Sequence, residues 1–362
     1  MTERVLIVGS TPLARLLIDA IAARPHCHAT VVGVVDDTVS ADEADLPALG
    51  PVDRLPEIVE QTRPDRIVVA LSERRGRTPL PALLECCLAR GIAVDDAAEC
   101  YERLTGRLAV ETLTPASIAF SGKFRPSRAY QVWARLFSVL VAASGLLLSL
   151  PFLALIALAI KLDSPGPVLF VQRRIGRHGI PFSLLKFRTM SVTLAPHSEW
   201  AADNGDRLTR VGRWLRSARL DELPQFINIL RGEMNVVGPR PHPVSNLELF
   251  TLVVRNLNEK TGAAVSYYTL RSIVRPGLTG WAQVRYRYAN NLEEEIEKLR
   301  YDLFYVKHAS VWFDVRILFE TLMRLVSGRL ADGIERARVP RIAPTPLRSF
   351  RLFGKLAARR AA

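Results

Sequence analysis

Two adjacent carboxylates, Asp221 and Glu222, stand between arginines and an apolar run in Arg216-Ser217-Ala218-Arg219-Leu220-Asp221-Glu222-Leu223-Pro224-Gln225. Phe226-Ile227-Asn228-Ile229-Leu230 follows, so Asp221 falls where a helix N-cap would, with Pro224 in a first turn that tolerates proline. Carboxylates at a helix start face unpaired backbone N–H groups and the positive end of the dipole. That environment keeps them ionised and also draws phosphate. Arg216 and Arg219 add positive charge just upstream. An ionised aspartate beside an anion-binding surface can attack phosphorus, and a neighbouring glutamate can hold a hard cation. The plainer alternative is that Asp221 only caps a helix and Glu222 only complements its dipole.

Further cations lie on either side. Phe182–Phe187 reads as a strand leading into Lys186-Phe187-Arg188-Thr189-Met190, where alternation with bulky apolar residues lets Lys186 and Arg188 share one face toward an anion. Gly238-Pro239-Arg240-Pro241 is a rigid turn presenting one arginine. Arg275-Pro276-Gly277-Leu278-Thr279-Gly280-Trp281-Ala282-Gln283-Val284 joins another arginine to two turn glycines and a tryptophan.

The elements that must position these residues are unevenly charged. At 362 residues the chain should hold two or more domains, and its 49% hydrophobic content hints at a membrane segment. Residues 1–120 carry 12 basic and 18 acidic side chains, whereas the remainder carries 37 and 18. The basic part suits anionic lipid and phosphorylated substrates; without a nucleic-acid-binding motif, nucleic acid is excluded as a partner. Cys27, Cys86, Cys87 and Cys100 have neither metal-ligand nor redox spacing, which fits a reducing cytoplasm. The N-terminus runs directly into a strand-like segment, so no signal peptide is expected.

Val5–Gly9, a helical pattern over Pro12–Ala23 and Val31–Asp37 form the opening βαβ unit of a Rossmann-like sheet, with further strands at Arg66–Leu71 and Gly91–Asp95. Gly9, Thr11 and Ala14 stand where a dinucleotide site prefers three glycines, which favours a different role. A short basic linker follows at 122–128. Residues 136–160 contain no charge and meet the length criterion for a membrane helix, flanked by Arg125, Arg128 and Arg135 before and Lys161, Arg173, Arg174 and Arg177 after. Pro151 should kink or break it, and the symmetric basic flanks point to a segment that enters and leaves on the cytoplasmic side. Ser144 and Ser149 could satisfy carbonyls freed at such a break. Leu292–Tyr305 reads as a charged amphipathic helix and Trp312–Val326 as an apolar-rich one suited to the membrane surface.

Together, Ser164-Pro165-Gly166-Pro167, Lys186–Met190, Leu220–Gln225, Gly238–Pro241, Arg275–Val284 and Tyr301-Asp302-Leu303-Phe304-Tyr305 resemble the bacterial sugar transferase family, the polyprenyl-phosphate sugar-1-phosphate transferases that start exopolysaccharide and O-antigen synthesis. The resemblance implies an α/β chain of four parts. A Rossmann-like domain would occupy 1–120, a basic linker and membrane re-entrant helix 121–163, and a mainly helical α+β monotopic phosphoglycosyl transferase domain 164–330. A basic tail at 331–362 completes it.

It also implies a reaction. Asp221 would attack the β-phosphorus of a UDP-sugar, releasing UMP, and polyprenyl (undecaprenyl) phosphate would then take the sugar phosphate from the aspartate. Glu222 would be the ligand of Mg²⁺, with Lys186, Arg216 and Arg240 on the phosphate oxygens. Arg188, Arg275 and Asp302 would bind or support substrate, and His242 is given no role. The expected partners are UDP-sugar, polyprenyl phosphate and membrane lipid, with a homodimer left open. The expected location is the bacterial inner membrane, both soluble domains facing the cytoplasm. A catalytically inactive scaffold or nucleotide sensor is the competing reading. A nicotinamide-dependent sugar-modifying enzyme is opposed by the missing glycines and by the lack of a Tyr-x-x-x-Lys pair in residues 1–120.

Overall fold

The computed structural model describes residues 2–37, 47–71, 80–110, 113, 115–120, 122–192, 207–244, 267–286 and 292–326. The basic tail at 331–362 and most of the 243–271 stretch lie outside them. Two compact units divide the chain between Cys100 and Tyr101.

In the first unit β1 (Glu3–Val8), β2 (Ala29–Val35), β3 (Ala48–Gly50), β4 (Arg66–Val69) and β5 (Ala93–Asp96) pair in parallel, in the order β3-β2-β1-β4-β5. Val5, Leu6, Ile7 and Val8 are all buried, as an unbroken apolar strand must be when both sheet faces are covered. The helices α1 (Pro12–Ala22), α2 (Leu55–Thr62) and α3 (Leu80–Arg90) alternate with these strands. Gly9 turns the chain out of β1 at φ +107°, where an added Cβ would lie 2.9 Å from the Ala70 backbone. Thr11 caps α1, its hydroxyl accepting from Ala14 N at 3.2 Å, and the Asp36 carboxylate accepts from Ser10 N.

The second unit starts earlier than composition placed it. After α4 (Ala97–Thr105), Leu108, Val110 and Phe124 join Tyr268, Leu299, Leu303 and Val306 in one buried cluster. Arg107 Nε donates to the Tyr301 hydroxyl at 2.8 Å, and Trp281 Nε1 donates to the Gly106 carbonyl at 2.8 Å. Charge counts miss this boundary because the core residues that tie this stretch to the second unit, Leu108, Val110 and Phe124, are apolar. A short helix α5 (Pro115–Phe120) precedes the main helix of the unit.

That helix, α6 (Arg128–Asp163), is capped by Ser127 and runs unbroken through Pro151. Of the kink or break expected at the proline, a full break is absent, since the helix continues through it. A proline removes one hydrogen bond and crowds the carbonyl four residues back, yet both flanks here are held by packing. On the N-terminal side Ala142 is buried, Gly145 lies against the Phe226 ring, and Ser138 Oγ accepts from Val236 N at 3.0 Å. On the C-terminal side Ile156 and Ile160 pack with Phe187 and Leu215. Ser149 Oγ donates to the Leu146 carbonyl at 3.2 Å, one residue short of the carbonyl that Pro151 leaves unpaired. Only 11% of the most apolar stretch is buried, which excludes the core helix of a soluble domain. Leu140, Leu147, Leu148, Phe152, Leu155 and Leu158 are exposed, on a helix long and apolar enough to cross a membrane.

Against α6 stand the antiparallel hairpin β6 (Leu169–Ile175) and β7 (Pro181–Phe187), then α7 (Arg210–Ser217) and α8 (Gln225–Arg231). The short parallel pair β8 (Asn235–Val237) and β9 (Gly277–Thr279) leads to α9 (Trp281–Arg285), α10 (Leu292–His308) and α11 (Val311–Val326). Their core gathers Ala142, Phe182, Ile229, Met234, Trp281 and Ile317. The outer side of α11 exposes Trp312, Phe319, Leu322 and Met323.

Candidate active site

Asp221 and Glu222 lie in a 3-10 turn, Leu220–Glu222, and not at the N-cap of α8, which Pro224 occupies without a side-chain bond. The chain enters this turn from α7 through Arg219, held in the left-handed region at φ +58°. A non-glycine residue there costs about 1–3 kcal/mol, which the surrounding packing has to offset. Both carboxylates are buried, Asp221 to 7% exposure and Glu222 to 8%.

Three elements bring cations to them. From the end of β7, Lys186 Nζ donates to Glu222 Oε1 at 3.1 Å. From the loop after β8, Arg240 donates to the same oxygen at 2.7 Å, and Arg219 stands 3.7 Å away. From α7, Arg216 adds its charge to the field at Asp221, while its Nε donates to Thr189 Oγ1 at 3.0 Å. The Arg240 loop is fixed by close backbone approach: Gly277 N donates to Pro239 O at 2.9 Å, and a Cβ on Gly277 would sit 2.1 Å from Gly238 N. Only glycine fits there.

The two carboxylates are driven apart electrostatically. Burial would raise Glu222, but Arg240, then Lys186 and Arg219, outweigh it and hold the group far below the usual carboxylate range. Burial also dominates at Asp221, and there it wins: with the charge of Glu222 beside it, the carboxyl is raised despite Lys186, Arg216 and Arg240. Lys186 is lowered by burial against the pull of Glu222. Divergent pKa values in adjacent acids separate their roles. Glu222 is a fixed anion inside an ion-pair network. Asp221 is a more basic carboxylate with no hydrogen-bond partner among the described residues.

Three other sequence candidates lie apart from this cluster. Arg188 directs its guanidinium to the carbonyls of Ile160, at 3.3 Å, and Ser164, at 2.7 Å, and so clamps the end of α6. Arg275 Nε donates to Gly232 O at 3.0 Å. Asp302 is paired with Arg271 deep in the unit.

Sequence reading missed what lies behind Arg240. Arg271 donates to the Arg240 carbonyl at 3.0 Å and to the Tyr268 hydroxyl at 3.0 Å, while also holding Asp302. His242 is hydrogen-bonded to Tyr268 and lies 3.2 Å from Lys298 Nζ. Burial, then Arg271 and Lys298, keeps its ring neutral. Arg271 carried no signal because it falls outside every recognised motif; its partner Asp302 did.

As to a divalent cation, Glu222 Oε1 is engaged by Lys186 and Arg240, and no group of three metal-ligating side chains converges among the described residues. Asp221 and the second oxygen of Glu222 remain. Mg²⁺ typically takes one or two carboxylates plus substrate phosphates, so this donor set fits an ion that arrives with a phosphorylated substrate.

UDP-N-acetylgalactosamine-undecaprenyl-phosphate N-acetylgalactosaminephosphotransferase of Aeromonas hydrophila is 37% identical over 247 residues, 68% of this chain and 55% of that protein. UDP-glucose:undecaprenyl-phosphate glucose-1-phosphate transferase of Escherichia coli K12 is 44% identical over 189 residues, 51% of this chain and 38% of that protein. The similarly named protein of Xanthomonas campestris pv. campestris is 30% identical over 353 residues, 91% of this chain and 68% of that protein. The chain therefore spans little more than half of the first relative and less of the second. The bacterial sugar transferase profile matches residues 129–328, from the start of α6 to the end of α11, and with the carboxylate pair and its cations inside that match, the chain belongs to the bacterial sugar transferase family.

Proposed function

We propose that this chain transfers a sugar 1-phosphate from a UDP-sugar to polyprenyl phosphate through a phosphoryl-Asp221 intermediate. The observation that carries the reading is the buried Asp221–Glu222 pair ringed by Lys186, Arg216, Arg219 and Arg240. An Asp221 oxygen attacks the β-phosphorus, the bond to the bridging oxygen breaks, and UMP leaves with that oxygen. A phosphate oxygen of the polyprenyl phosphate then attacks the same phosphorus and returns the electron pair to the Asp221 carboxylate. The products are polyprenyl diphosphate sugar and UMP. Lys186, Arg216 and Arg240 offset charge as phosphate approaches phosphate, in a buried site where each cation acts strongly. Glu222 keeps Lys186 charged and Arg240 aimed. Mg²⁺ would be held by Glu222 and the substrate phosphates, supplying Lewis-acid stabilisation of the diphosphate. The intact constellation favours an enzyme over an inactive scaffold. Measuring UMP release from purified protein with polyprenyl phosphate and a panel of UDP-sugars tests the reading; no release with any of them overturns it.

The strand order of the first unit supports a Rossmann-like domain. The protein enters the membrane without crossing it. With the break at Pro151 absent, the support for this comes from how α6 is tied. Arg135 near one end donates to Ile229 O at 2.6 Å, and Asp163 at the other accepts from Val211 N at 3.0 Å. Both ends are therefore bound to one compact unit, which cannot face water on both sides of a bilayer. Thiols introduced by Glu3→Cys and Ser198→Cys should both be shielded from an impermeant reagent in intact cells. Labelling of the residue 3 thiol from outside would refute this.

A further inference from the structure

A second cluster of arginines lies away from Asp221, at the base of α6. Arg177, from the turn after β6, donates through Nε to Ile273 O at 3.3 Å and through NH2 to Gln131 Oε1 at 2.8 Å. Arg275, from the loop before β9, uses Nε on Gly232 O and leaves both terminal nitrogens without a partner among the described residues. Arg135, from α6, binds the Ile229 and Leu230 carbonyls and adds a third charge. The charges felt at Arg275 are those of Arg177 and Arg135, with no carboxylate to balance them, and with burial they lower its pKa. Three unneutralised guanidinium groups held together by backbone contacts have an electrostatic cost unless an anion joins them.

Arg177 and Arg275 line an open cleft, together with Gln131, Asn235, Tyr130 and Tyr305. In its wall Asn235 Oδ1 is buried with no hydrogen-bond partner among the described residues. An orphaned acceptor beside free guanidinium donors calls for a ligand that brings both negative charge and an O–H or N–H. A singly protonated phosphate has both, and so does a phosphate ester carrying a hydroxyl or ammonium group.

We infer that the cleft between Arg177, Arg275 and Asn235 is a phosphate-binding site separate from the catalytic centre. The phosphate could belong to a lipid headgroup beside the apolar stretch of α6 or to a soluble ion, and the test tells these apart. It uses the full chain in detergent carrying Arg240→Gln, which weakens the competing attraction of anions to the cations around Asp221 and Glu222. Binding of inorganic phosphate is followed by calorimetry, and retention of a short-chain phosphatidic acid by native mass spectrometry. The expected result is one bound equivalent of at least one probe: phosphate alone identifies a soluble source, the lipid a headgroup. Adding Arg177→Gln and Arg275→Gln should weaken it at least tenfold. Because both arginines also tie backbone carbonyls, Asn235→Asp is the second variant. It keeps every arginine, places a negative charge in the cleft, and should abolish binding with the melting curve retained. The inference is overturned if neither probe binds, or if the arginine and Asn235 variants bind both as tightly as the parent.

Discussion

Replacing Asp314 by asparagine should stabilise the second unit at neutral pH and leave it unchanged in acid. Asp314 lies in the first turn of α11 at 3% exposure. Its Oδ1 accepts from the Tyr305 hydroxyl and its Oδ2 from the Tyr130 hydroxyl, each at 2.9 Å, and the two hydroxyls are themselves 2.9 Å apart. Three contacts need three protons and the tyrosines bring two, so the ring closes only when Asp314 carries the third. Burial, only partly opposed by the tyrosine hydrogen bonds, pushes the carboxyl from 3.8 up to about 7. An acid whose pKa is raised on folding binds its proton more tightly in the folded state. Stability is therefore fullest below the unfolded value and declines as pH rises toward the folded one. A rise of about three units at about 1.4 kcal/mol each amounts to about 4 kcal/mol by pH 7.5. Asparagine presents an acceptor oxygen and an amide nitrogen, one of whose two N–H groups takes the place of the acid's O–H, and it never ionises. The gap in Tm between Asp314→Asn and the parent should grow from near zero at pH 4 to about 8–16 °C at pH 7.5, at roughly 2–4 °C per kcal/mol. Thermal unfolding followed by circular dichroism in one detergent, across that range, measures it. A gap that does not change with pH refutes the proton-sharing ring.

Asp221→Asn should reduce UMP release by about three orders of magnitude or more, and Asp221→Ala run alongside guards against deamidation. Because burial raises the Asp221 pKa, its ionised form destabilises the fold, so the same asparagine variant should melt higher than the parent, more so at pH 8 than at pH 4. Glu222→Gln should lower Tm at pH 7, since removing one partner from a buried ion pair costs about 3–5 kcal/mol. It should also shift the acid limb of the rate profile to lower pH, because the charge of Glu222 helps to raise Asp221. A chain beginning at Tyr101 should keep UMP release within about threefold of the full chain. One beginning at Gly122 should melt well below it, losing the buried Leu108 and Val110 at about 1.5–3 kcal/mol each; equal melting of the two would refute the boundary at Cys100.

How much of this was legible in the sequence depends on the range over which each feature is decided. The strands of the first unit were readable because a buried parallel strand is a continuous apolar word: Val5–Val8 and Ile67–Val69 needed no partner to be recognised. The cations around the carboxylate pair were readable because Lys186, Arg216 and Arg240 each sit in a short motif whose conformation is set locally. Alternation also gave Arg188 a site role, yet its side chain folds back on Ile160 and Ser164, because the strand ends at Phe187 and period-two facing ends with it. Asp221 as an N-cap was a comparable error. Arg219 adopts a left-handed conformation that only a three-dimensional requirement would impose on a non-glycine, and this inserts a 3-10 turn before the helix.

The proline in α6 shows where sequence rules stop. The expectation of a kink or break at Pro151 treats the helix as an isolated rod, free to bend wherever one hydrogen bond is lost. In the folded unit the rod is not isolated. Gly145 admits the Phe226 ring on one side of the proline, Ile156 and Ile160 seat against Phe187 and Leu215 on the other, and Arg135 and Asp163 bind the two ends. A proline costing about 3 kcal/mol does not open a helix fixed at four places. The same contacts join α6 to catalysis. Arg135 holds the C-terminal carbonyls of α8, the helix that follows the Asp221 turn, and Phe187 adjoins Lys186 on β7. The helix with the largest exposed apolar surface is therefore also the beam on which the carboxylate pair and its lysine are mounted. The proposed transfer from a soluble nucleotide sugar to a lipid phosphate would need that coupling, because its reacting groups must be fixed relative to the surface from which the lipid arrives.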